Sequence, residues 1–161
     1  MRFKTGPIDG VVLKELKVHT DRRGWLSELF RSDNVKPEFF PVMGYVSATR
    51  PGVARGPHEH RMQADFFCFV GPSMFRVVCW DSRKNSPTCG NKIVTEGGED
   101  RPISLLVPPG VVHAYTNIGS TEGWVMNFPN ALYGGKGRAE EVDEIRHEDD
   151  PETVFRMDDL S

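Results

Sequence analysis

Glycine and proline are spread along the whole of this sequence and leave little room for long helices. Sixteen glycines and twelve prolines occur among its 161 residues, and both residue types interrupt regular helix. The segments between them are rich in β-branched and aromatic residues, which favour strands. The sequence therefore predicts an all-β fold, either a sandwich or a barrel. The predicted strands are the segments 11–18, 24–30, 39–48, 66–70, 74–80, 103–107 and 124–128.

The segment 138–150 differs from the rest of the chain. Val142 and Ile145 stand three residues apart among acidic side chains, which is the spacing of a narrow apolar face on a helix. We therefore expect a short C-terminal helix there. A chain of this length with 38% hydrophobic residues can bury one core, and no repeat or second domain is visible. The whole chain, 1–161, is predicted to be a single domain.

The charge balance argues against two classes of partner. Twenty basic and 23 acidic residues give a net charge of -3, so the chain offers no overall positive field to nucleic acid or to an anionic membrane. Three cysteines without CxxC spacing indicate a reducing compartment rather than a disulfide framework. The sequence also lacks a signal-peptide pattern and an apolar run of membrane-spanning length. We therefore expect a cytoplasmic protein.

Two stretches place histidines beside glycine and proline turns: GVARGPHEHRMQADFFCFVG at 52–71 and PPGVVHAYTN at 108–117. Residues two apart on a strand point to the same face, so His58 and His60 would share one cavity. Asp65 and His113 would complete a set of three nitrogen ligands and one oxygen ligand. Such a set suits a divalent transition metal ion such as Zn, Ni, Fe or Mn, and we expect no organic cofactor. The plainer interpretation of His58 and His60 is a polar pair on an exposed strand.

The first of these stretches resembles the first cupin motif, GxxxxxHxHxxxxExxxxxxG, with aspartate for glutamate and one residue fewer before the last glycine. The second stretch matches the end of the second cupin motif, PxGxxHxxxN, at every position. The resemblance to the cupin superfamily implies a jelly-roll β-barrel with the histidine site at its centre. The matching residues are Gly52, His58, His60, Asp65, Gly71, Pro108, Gly110, His113 and Asn117.

A further resemblance covers nearly the whole chain. It lies in IDGVVLKELKVHTDRRGWLSELF at 8–30, RGPH at 55–58, DSRKNSPTCG at 81–90 and EVDEIRHEDDP at 141–151. These stretches are similar to the dTDP-4-dehydrorhamnose 3,5-epimerases, which act on nucleotide-linked 4-keto-6-deoxy sugars. The resemblance implies that Arg23 and Arg55 hold the pyrophosphate, for which planar guanidinium donors are suited. It also implies that Glu28 contacts the nucleotide, that His58 is the general base and that His113 is a second active-site histidine.

The sequence departs from that family at several positions. Asp65 stands where the family has a lysine that steadies the enolate oxygen. The family's paired tyrosines, one of them the proton donor, fall at 131 and 132, so Tyr133 is the nearest candidate for that role. Met43 and Tyr45 occupy positions that contact thymine in the family. The base of the nucleotide is therefore left open.

The RGxHxH turn at 55–60 also resembles two other cupin groups, the 3,4-ketoisomerases of deoxysugar pathways and the metal-carrying cupin domains of capsule-sugar reductases. All three groups act on keto forms of nucleotide sugars. A ketone at C4 acidifies the neighbouring C–H bonds, so a histidine can remove a proton if His113, Tyr133 or a metal ion stabilises the enolate. A nitrogen that ligates a metal cannot accept a proton, so the base and ligand roles of His58 exclude each other.

We therefore predict an epimerase or isomerase of nucleotide-linked 4-keto-6-deoxy sugars in polysaccharide or deoxysugar biosynthesis. The family resemblance implies a homodimer. The alternatives are a metal-dependent cupin with other small-molecule chemistry and a non-catalytic sugar-binding cupin. Arg23 and Arg55 should line the mouth of one cavity, and His147 should lie on a solvated face. The predicted catalytic residues are His58, His60, His113 and Tyr133, and the predicted substrate-binding residues are Arg23, Glu28 and Arg55.

Overall fold

The computed structural model describes residues 2–157, and its regular structure in that range is almost entirely β. The strands are β1 (Lys4–Thr5), β2 (Val12–Glu15), β3 (Val18–Asp21), β4 (Gly24–Ser27), β5 (Tyr45–Thr49), β6 (Ala54–Glu59), β7 (Asp65–Phe69), β8 (Met74–Asp81), β9 (Asn91–Gly98), β10 (Ile103–Val107), β11 (Val111–Asn117), β12 (Gly123–Asn127) and β13 (Ile145–Arg146). Two 3-10 turns lie at Pro37–Phe39 and Lys136–Arg138. The all-β prediction is confirmed. Within this range, no helix has the length and apolarity that crossing a membrane requires.

Two sheets carry the fold. Six strands are hydrogen-bonded in the order β1-β9-β8-β11-β6-β13, and five in the order β2-β10-β7-β12-β5, while β3 and β4 form a separate hairpin. The two sheets face each other across one apolar core, which is the jelly-roll arrangement. The core side chains of the five-stranded sheet include Phe67, Phe69, Leu105 and Val107, and those of the six-stranded sheet include Val77, Cys79, Val111 and Tyr115.

Strands β7 and β10 of the five-stranded sheet are covered on both faces. All five residues of β7 are buried, because a second apolar cluster covers its outer face. In that cluster Phe66 and Cys68 pack under Phe30 and Phe39. A strand that is buried on both sides needs no alternation of polar and apolar residues, and the sequence of β7, DFFCF, shows none.

The predicted C-terminal helix over 138–150 is wrong. This segment follows the edge of the six-stranded sheet, where β13 pairs with β6, and the amides of His147 and Glu148 both donate to the carbonyl of Pro57. An open sheet edge offers unpaired backbone groups along its length, and satisfying them outweighs the weak helical pattern of the acidic residues.

His147 also differs from its prediction as part of a solvated face. Its Nε2 atom lies 2.8 Å from Oε1 of Glu59, and its ring packs against Phe155 with the centroids 4.6 Å apart. The histidine is half-buried and helps to hold the C-terminal segment against β6.

Candidate active site

Four side chains from both sheets meet inside the fold. His58 lies in β6, His60 directly follows that strand, Asp65 begins β7 and His113 lies in β11. Each offers a nitrogen or carboxylate oxygen, and these atoms all lie within 4.8 Å of one another. The structure thus brings together the four residues that the sequence analysis proposed as ligands or catalysts.

Gly56 lets β6 and β11 approach closely where two of the imidazoles meet edge to face. His113 stands opposite His58 in this pair of strands, and the register shifts beside His113. Gly56 has a φ of +81°, and a Cβ atom there would lie 2.6 Å from the carbonyl oxygen of His113. Only glycine fits this approach. The ring centroids of His58 and His113 lie 4.5 Å apart.

Asp65 lies between two imidazoles. Its Oδ2 atom is 3.1 Å from Nε2 of His60 and 3.2 Å from Nε2 of His113. Its other oxygen, Oδ1, accepts hydrogen bonds from Gln63 at 2.9 Å and Asn127 at 2.8 Å. Among the described residues, neither Oδ2 of Asp65 nor Nε2 of His113 has a hydrogen-bond partner of good geometry. A buried carboxylate needs a compensating charge, and the facing nitrogens are where a proton or a cation would supply it.

The orientation of two of these imidazoles is fixed by backbone carbonyls. Nδ1 of His60 bonds to the carbonyl oxygen of Asp143, and Nδ1 of His113 bonds to that of Val111 at 3.0 Å. Because a carbonyl only accepts, both Nδ1 atoms carry hydrogen. The Nε2 atoms of both rings therefore face Asp65.

Burial and charge put His58 and His60 in opposite states. Burial, reinforced by the nearby His113 and His60, lowers the pKa of His58 to about 2, so this imidazole is neutral. Burial also opposes protonation of His60, but the Asp65 carboxylate outweighs it and raises the pKa of His60 to about 9. Burial would raise the pKa of Asp65, but His113 and His60 hold it well below its usual range. A neutral imidazole and a cationic one therefore lie side by side at neutral pH.

A cavity of about 790 Å³ opens over His58 and His60. Its walls include residues of β5 and β6 and the segments 129–135 and 140–148. Asp65 and His113 lie behind this wall and are 1% and 3% exposed. The cavity has the size of a small-molecule site, and a ligand inside it would meet His58 and His60 first.

Two other predicted residues also line this cavity. Arg55 does so with its guanidinium held by Oγ1 of Thr49 at 2.9 Å and the carbonyl of Ala48 at 2.8 Å. Tyr133 lies at the rim and is 61% exposed. A cation and a phenol are therefore available at the same opening.

Arg23 and Glu28 lie outside this cavity in their own chain. Arg23 stands at the tip of the β3–β4 hairpin, where its side chain is 83% exposed and pairs with Asp21 at 2.6 Å. Glu28 pairs with Arg31 at 3.5 Å and lines a separate cavity of about 360 Å³. The expectation that Arg23 and Arg55 line one cavity is therefore not met within a single chain.

Sequence analysis missed several polar residues that hold the cluster. Gln63 and Asn127 both donate to Asp65, and Asn127 is 62 residues away from it in the chain. Asp143 accepts the amides of residues 61–63 at 2.8 to 2.9 Å as well as bonding His60 through its carbonyl. No local pattern marks such residues, because their partners are defined only by the pairing of distant strands.

A two-sheet jelly roll with imidazoles lining a central cavity is the architecture of a cupin. Solved structures share this fold. The dTDP sugar isomerase of Desulfovibrio desulfuricans G20 superimposes with a TM-score of 0.79 at 24% identity, covering 92% of this chain and 91% of that chain. The dTDP-4-dehydrorhamnose 3,5-epimerase of Sulfolobus tokodaii gives a TM-score of 0.69 at 26% identity, covering 91% of this chain and 82% of that chain.

The family follows from the sequence relatives. The family model for dTDP-4-dehydrorhamnose 3,5-epimerase matches residues 5–142. The spore coat polysaccharide biosynthesis protein SpsL of Bacillus subtilis is 37% identical over 147 residues, which cover 91% of this chain and 93% of SpsL. The probable low-salt glycan biosynthesis epimerase Agl13 of Haloferax volcanii is 35% identical over 127 residues, covering 78% of this chain and 81% of Agl13. The chain belongs to the dTDP-4-dehydrorhamnose 3,5-epimerase family.

Proposed function

We propose that this protein is an epimerase or isomerase that removes and returns protons beside the ketone of a 4-keto-6-deoxy sugar carried on a nucleoside diphosphate. The observation that carries the proposal is the pair of imidazoles, one neutral and one cationic, on the wall of a cavity large enough for a sugar. The family supports the same substrate class. By analogy with the names of SpsL and Agl13, the product would serve polysaccharide or glycan synthesis.

His58 is the proposed base. Its imidazole is neutral and faces the cavity, as a group that accepts a proton from carbon must. The negative pyrophosphate and the developing enolate would raise its pKa when substrate binds. His60 and His113, paired with Asp65, are proposed to stabilise the negative charge, and Tyr133 at the rim is proposed to return a proton.

The proposed phosphate ligands come from two chains. Arg55 lines the cavity of its own chain, whereas Arg23 and Glu28 lie outside it. We infer a homodimer in which the β3–β4 hairpin of one copy brings Arg23 and Glu28 to the cavity of the other. The hairpin supports this inference, because Trp25 and Leu26 are 57% and 65% exposed, and an isolated two-stranded hairpin with exposed apolar residues needs a partner surface.

Proton exchange tests the proposed function directly. A dTDP-linked 4-keto-6-deoxy sugar incubated with the protein in D2O should gain deuterium at the carbons that are epimerised, seen by NMR and mass spectrometry. His58→Gln should abolish this exchange and leave dTDP binding in place. Binding without any exchange in the wild-type protein would identify a sugar-binding cupin instead.

A metal site is the second candidate, and the orphaned buried atoms favour it. His58, His60, Asp65 and His113 would hold one divalent transition metal ion, for which three imidazoles and a carboxylate are suitable donors. The Nδ1 atoms of His60 and His113 donate to backbone carbonyls, as metal-ligating histidines commonly do. Such an ion would act as a Lewis acid toward the sugar carbonyl.

Metal analysis separates the two candidates. Protein purified without a chelator or histidine tag should contain about one ion per chain if the metal proposal holds, and chelation should then lower both its stability and its activity. Metal-free protein that exchanges protons at full rate would overturn the metal proposal and leave His58 free as the base.

The proposed location remains the cytoplasm, which the free cysteines Cys68, Cys79 and Cys89 support.

A further inference from the structure

The hydrogen bonds around Tyr45 fix the direction of its hydroxyl proton. Oδ1 of Asn127 accepts the amide of Phe66 at 3.1 Å, so Nδ2 of Asn127 is the atom that faces the site. That nitrogen lies 2.9 Å from the hydroxyl oxygen of Tyr45 and 2.8 Å from Oδ1 of Asp65. An amide nitrogen donates and cannot accept. The Tyr45 hydroxyl is therefore the acceptor in its bond with Asn127, and its own hydrogen points elsewhere.

That hydrogen is available to a ligand in the cavity. Asn127 is the hydrogen-bond partner of the Tyr45 hydroxyl within residues 2–157, and the Tyr45 side chain lines the cavity together with His58 and His60. Burial raises the pKa of Tyr45 to about 12, so the phenol keeps its proton throughout the neutral range. The cavity wall therefore carries a neutral hydrogen-bond donor whose hydroxyl oxygen is held by Asn127.

The position of this donor is also defined. Asn127 joins Tyr45 to Asp65 by two hydrogen bonds from one nitrogen, which places the hydroxyl at the same end of the cavity as the imidazoles. Tyr133 lies at the rim and is 61% exposed, against 48% for Tyr45, but the Tyr45 hydroxyl is held by Asn127. A donor held in place before the reaction contributes more to stabilising a developing charge than one that must first be ordered.

We propose that Tyr45 is a catalytic residue that donates a hydrogen bond to the keto oxygen of the bound sugar and stabilises the enolate. The proton that leaves carbon passes to the imidazole of His58, the electron pair of the C–H bond becomes the enolate, and the phenol hydrogen stays on Tyr45. This inference rests on the proposed function, since it assigns a role within the same deprotonation.

The test is the rate at which the variant Tyr45→Phe exchanges deuterium into the substrate. This substitution keeps the aromatic ring and removes the hydroxyl. With a dTDP-linked 4-keto-6-deoxy sugar in D2O, kcat should fall about 100-fold, the loss typical of one oxyanion donor. KM and the Kd for dTDP should stay within about twofold of the wild-type values. The control is Val46→Ala, on the same strand but 61% exposed on the outer face, which should behave as wild type.

The NMR signals of the imidazoles test whether Tyr45→Phe disturbs the histidines indirectly, through Asn127. The signals of His60 and His113 should be unchanged in this variant. Shifted imidazole signals in Tyr45→Phe would overturn the inference, and so would a normal kcat. A normal kcat together with weakened dTDP binding would show that Tyr45 contacts the nucleotide base instead. Wild-type protein that exchanges no deuterium would instead overturn the proposed function, and this role of Tyr45 with it.

Discussion

Oδ2 of Asp65 lies 3.2 Å from Nε2 of His113, in a place where both side chains are at most 3% exposed. His60 approaches the same oxygen at 3.1 Å. One buried carboxylate oxygen therefore serves two imidazoles, and the charge of Asp65 determines what the whole cluster can bind. This arrangement makes Asp65 the residue whose substitution is most informative.

Asp65→Asn should move the pH dependence of activity to lower pH. The Asp65 carboxylate raises the pKa of His60 to about 9, so a reaction that needs the His60 cation loses activity as the pH rises through that value. A neutral amide removes the carboxylate's charge, the pKa of His60 falls, and the alkaline limb of the kcat profile shifts to lower pH. The profile should be measured from pH 5 to about 10 by deuterium exchange.

The same variant also reports on metal. If the wild-type protein carries an ion, Asp65→Asn should lose it, because an amide oxygen is a much weaker ligand than a carboxylate, and thermal stability should fall with the metal content. An unchanged alkaline limb together with zero metal in both proteins would contradict both roles of Asp65.

Mixed dimers test whether Arg23 acts across a subunit boundary. Arg23→Ala and His58→Gln should each be inactive alone as purified homodimers. After the two variants are unfolded and refolded together, half-intact dimers should form in which one cavity has its own His58 and receives Arg23 from the partner copy. About a quarter of the wild-type number of sites should then be active after random pairing.

Arg55→Ala is the matched control for that experiment. Arg55 lines the same cavity as His58 of its own chain. A mixed dimer of Arg55→Ala and His58→Gln therefore carries one defect in each of its two cavities, and neither site should regain activity. Restoration with Arg55→Ala, or its absence with Arg23→Ala, would contradict the shared-site dimer.

The sequence predicted the convergence of His58, His60, Asp65 and His113 because the cupin motifs fix their spacing relative to strands and turns. Local periodicity, in contrast, gave a wrong prediction for 138–150. There the local pattern of Val142 and Ile145 favoured a helix, while the free edge of β6 favours a strand, and only the tertiary structure reveals that edge.

The hydrogen-bond partners of the site residues also could not be predicted from the sequence. Asn127 contacts Asp65 and Tyr45 because β12 pairs with both β7 and β5, and no motif near Asn127 signals either contact. The proposed role of Arg23 depends on a second copy of the chain, so neither the sequence of one chain nor its fold can place it beside Arg55.

Asp81→Asn should destabilise the fold without touching the cavity. Asp81 is completely buried and accepts hydrogen bonds from Arg83 at 2.9 Å, Ser86 at 2.5 Å and Thr88 at 2.6 Å. Burial opposes its ionisation, but these donors hold the pKa of Asp81 below its usual range. An amide leaves Arg83 without its anion, so the free energy of unfolding should fall by about 3 kcal/mol in urea titrations at pH 7.

The pH dependence of that loss has a definite sign. A carboxylate with a depressed pKa stabilises the folded state above its unfolded pKa of about 4, and this contribution disappears as the pH falls. The difference between the wild type and Asp81→Asn should therefore shrink below pH 4. Asp33→Asn, which breaks an exposed pair with Arg31, should change stability little. Equal losses in the two variants would contradict the role assigned to Asp81.

Asp143→Ala should loosen the segment that closes one side of the cavity and release His60. The Asp143 carboxylate accepts the amides of residues 61–63, and although burial opposes it, these bonds lower the pKa of Asp143. Its carbonyl holds Nδ1 of His60. Losing the carboxylate should speed hydrogen exchange at amides 61–63 and lower kcat about 10-fold, because a misplaced catalytic group loses its alignment.

Asp150→Ala is the control. It removes an acceptor for the Glu152 amide at 2.9 Å outside the cavity and should leave kcat unchanged. Faster exchange at 61–63 with normal kcat would show that Asp143 holds the loop without positioning His60.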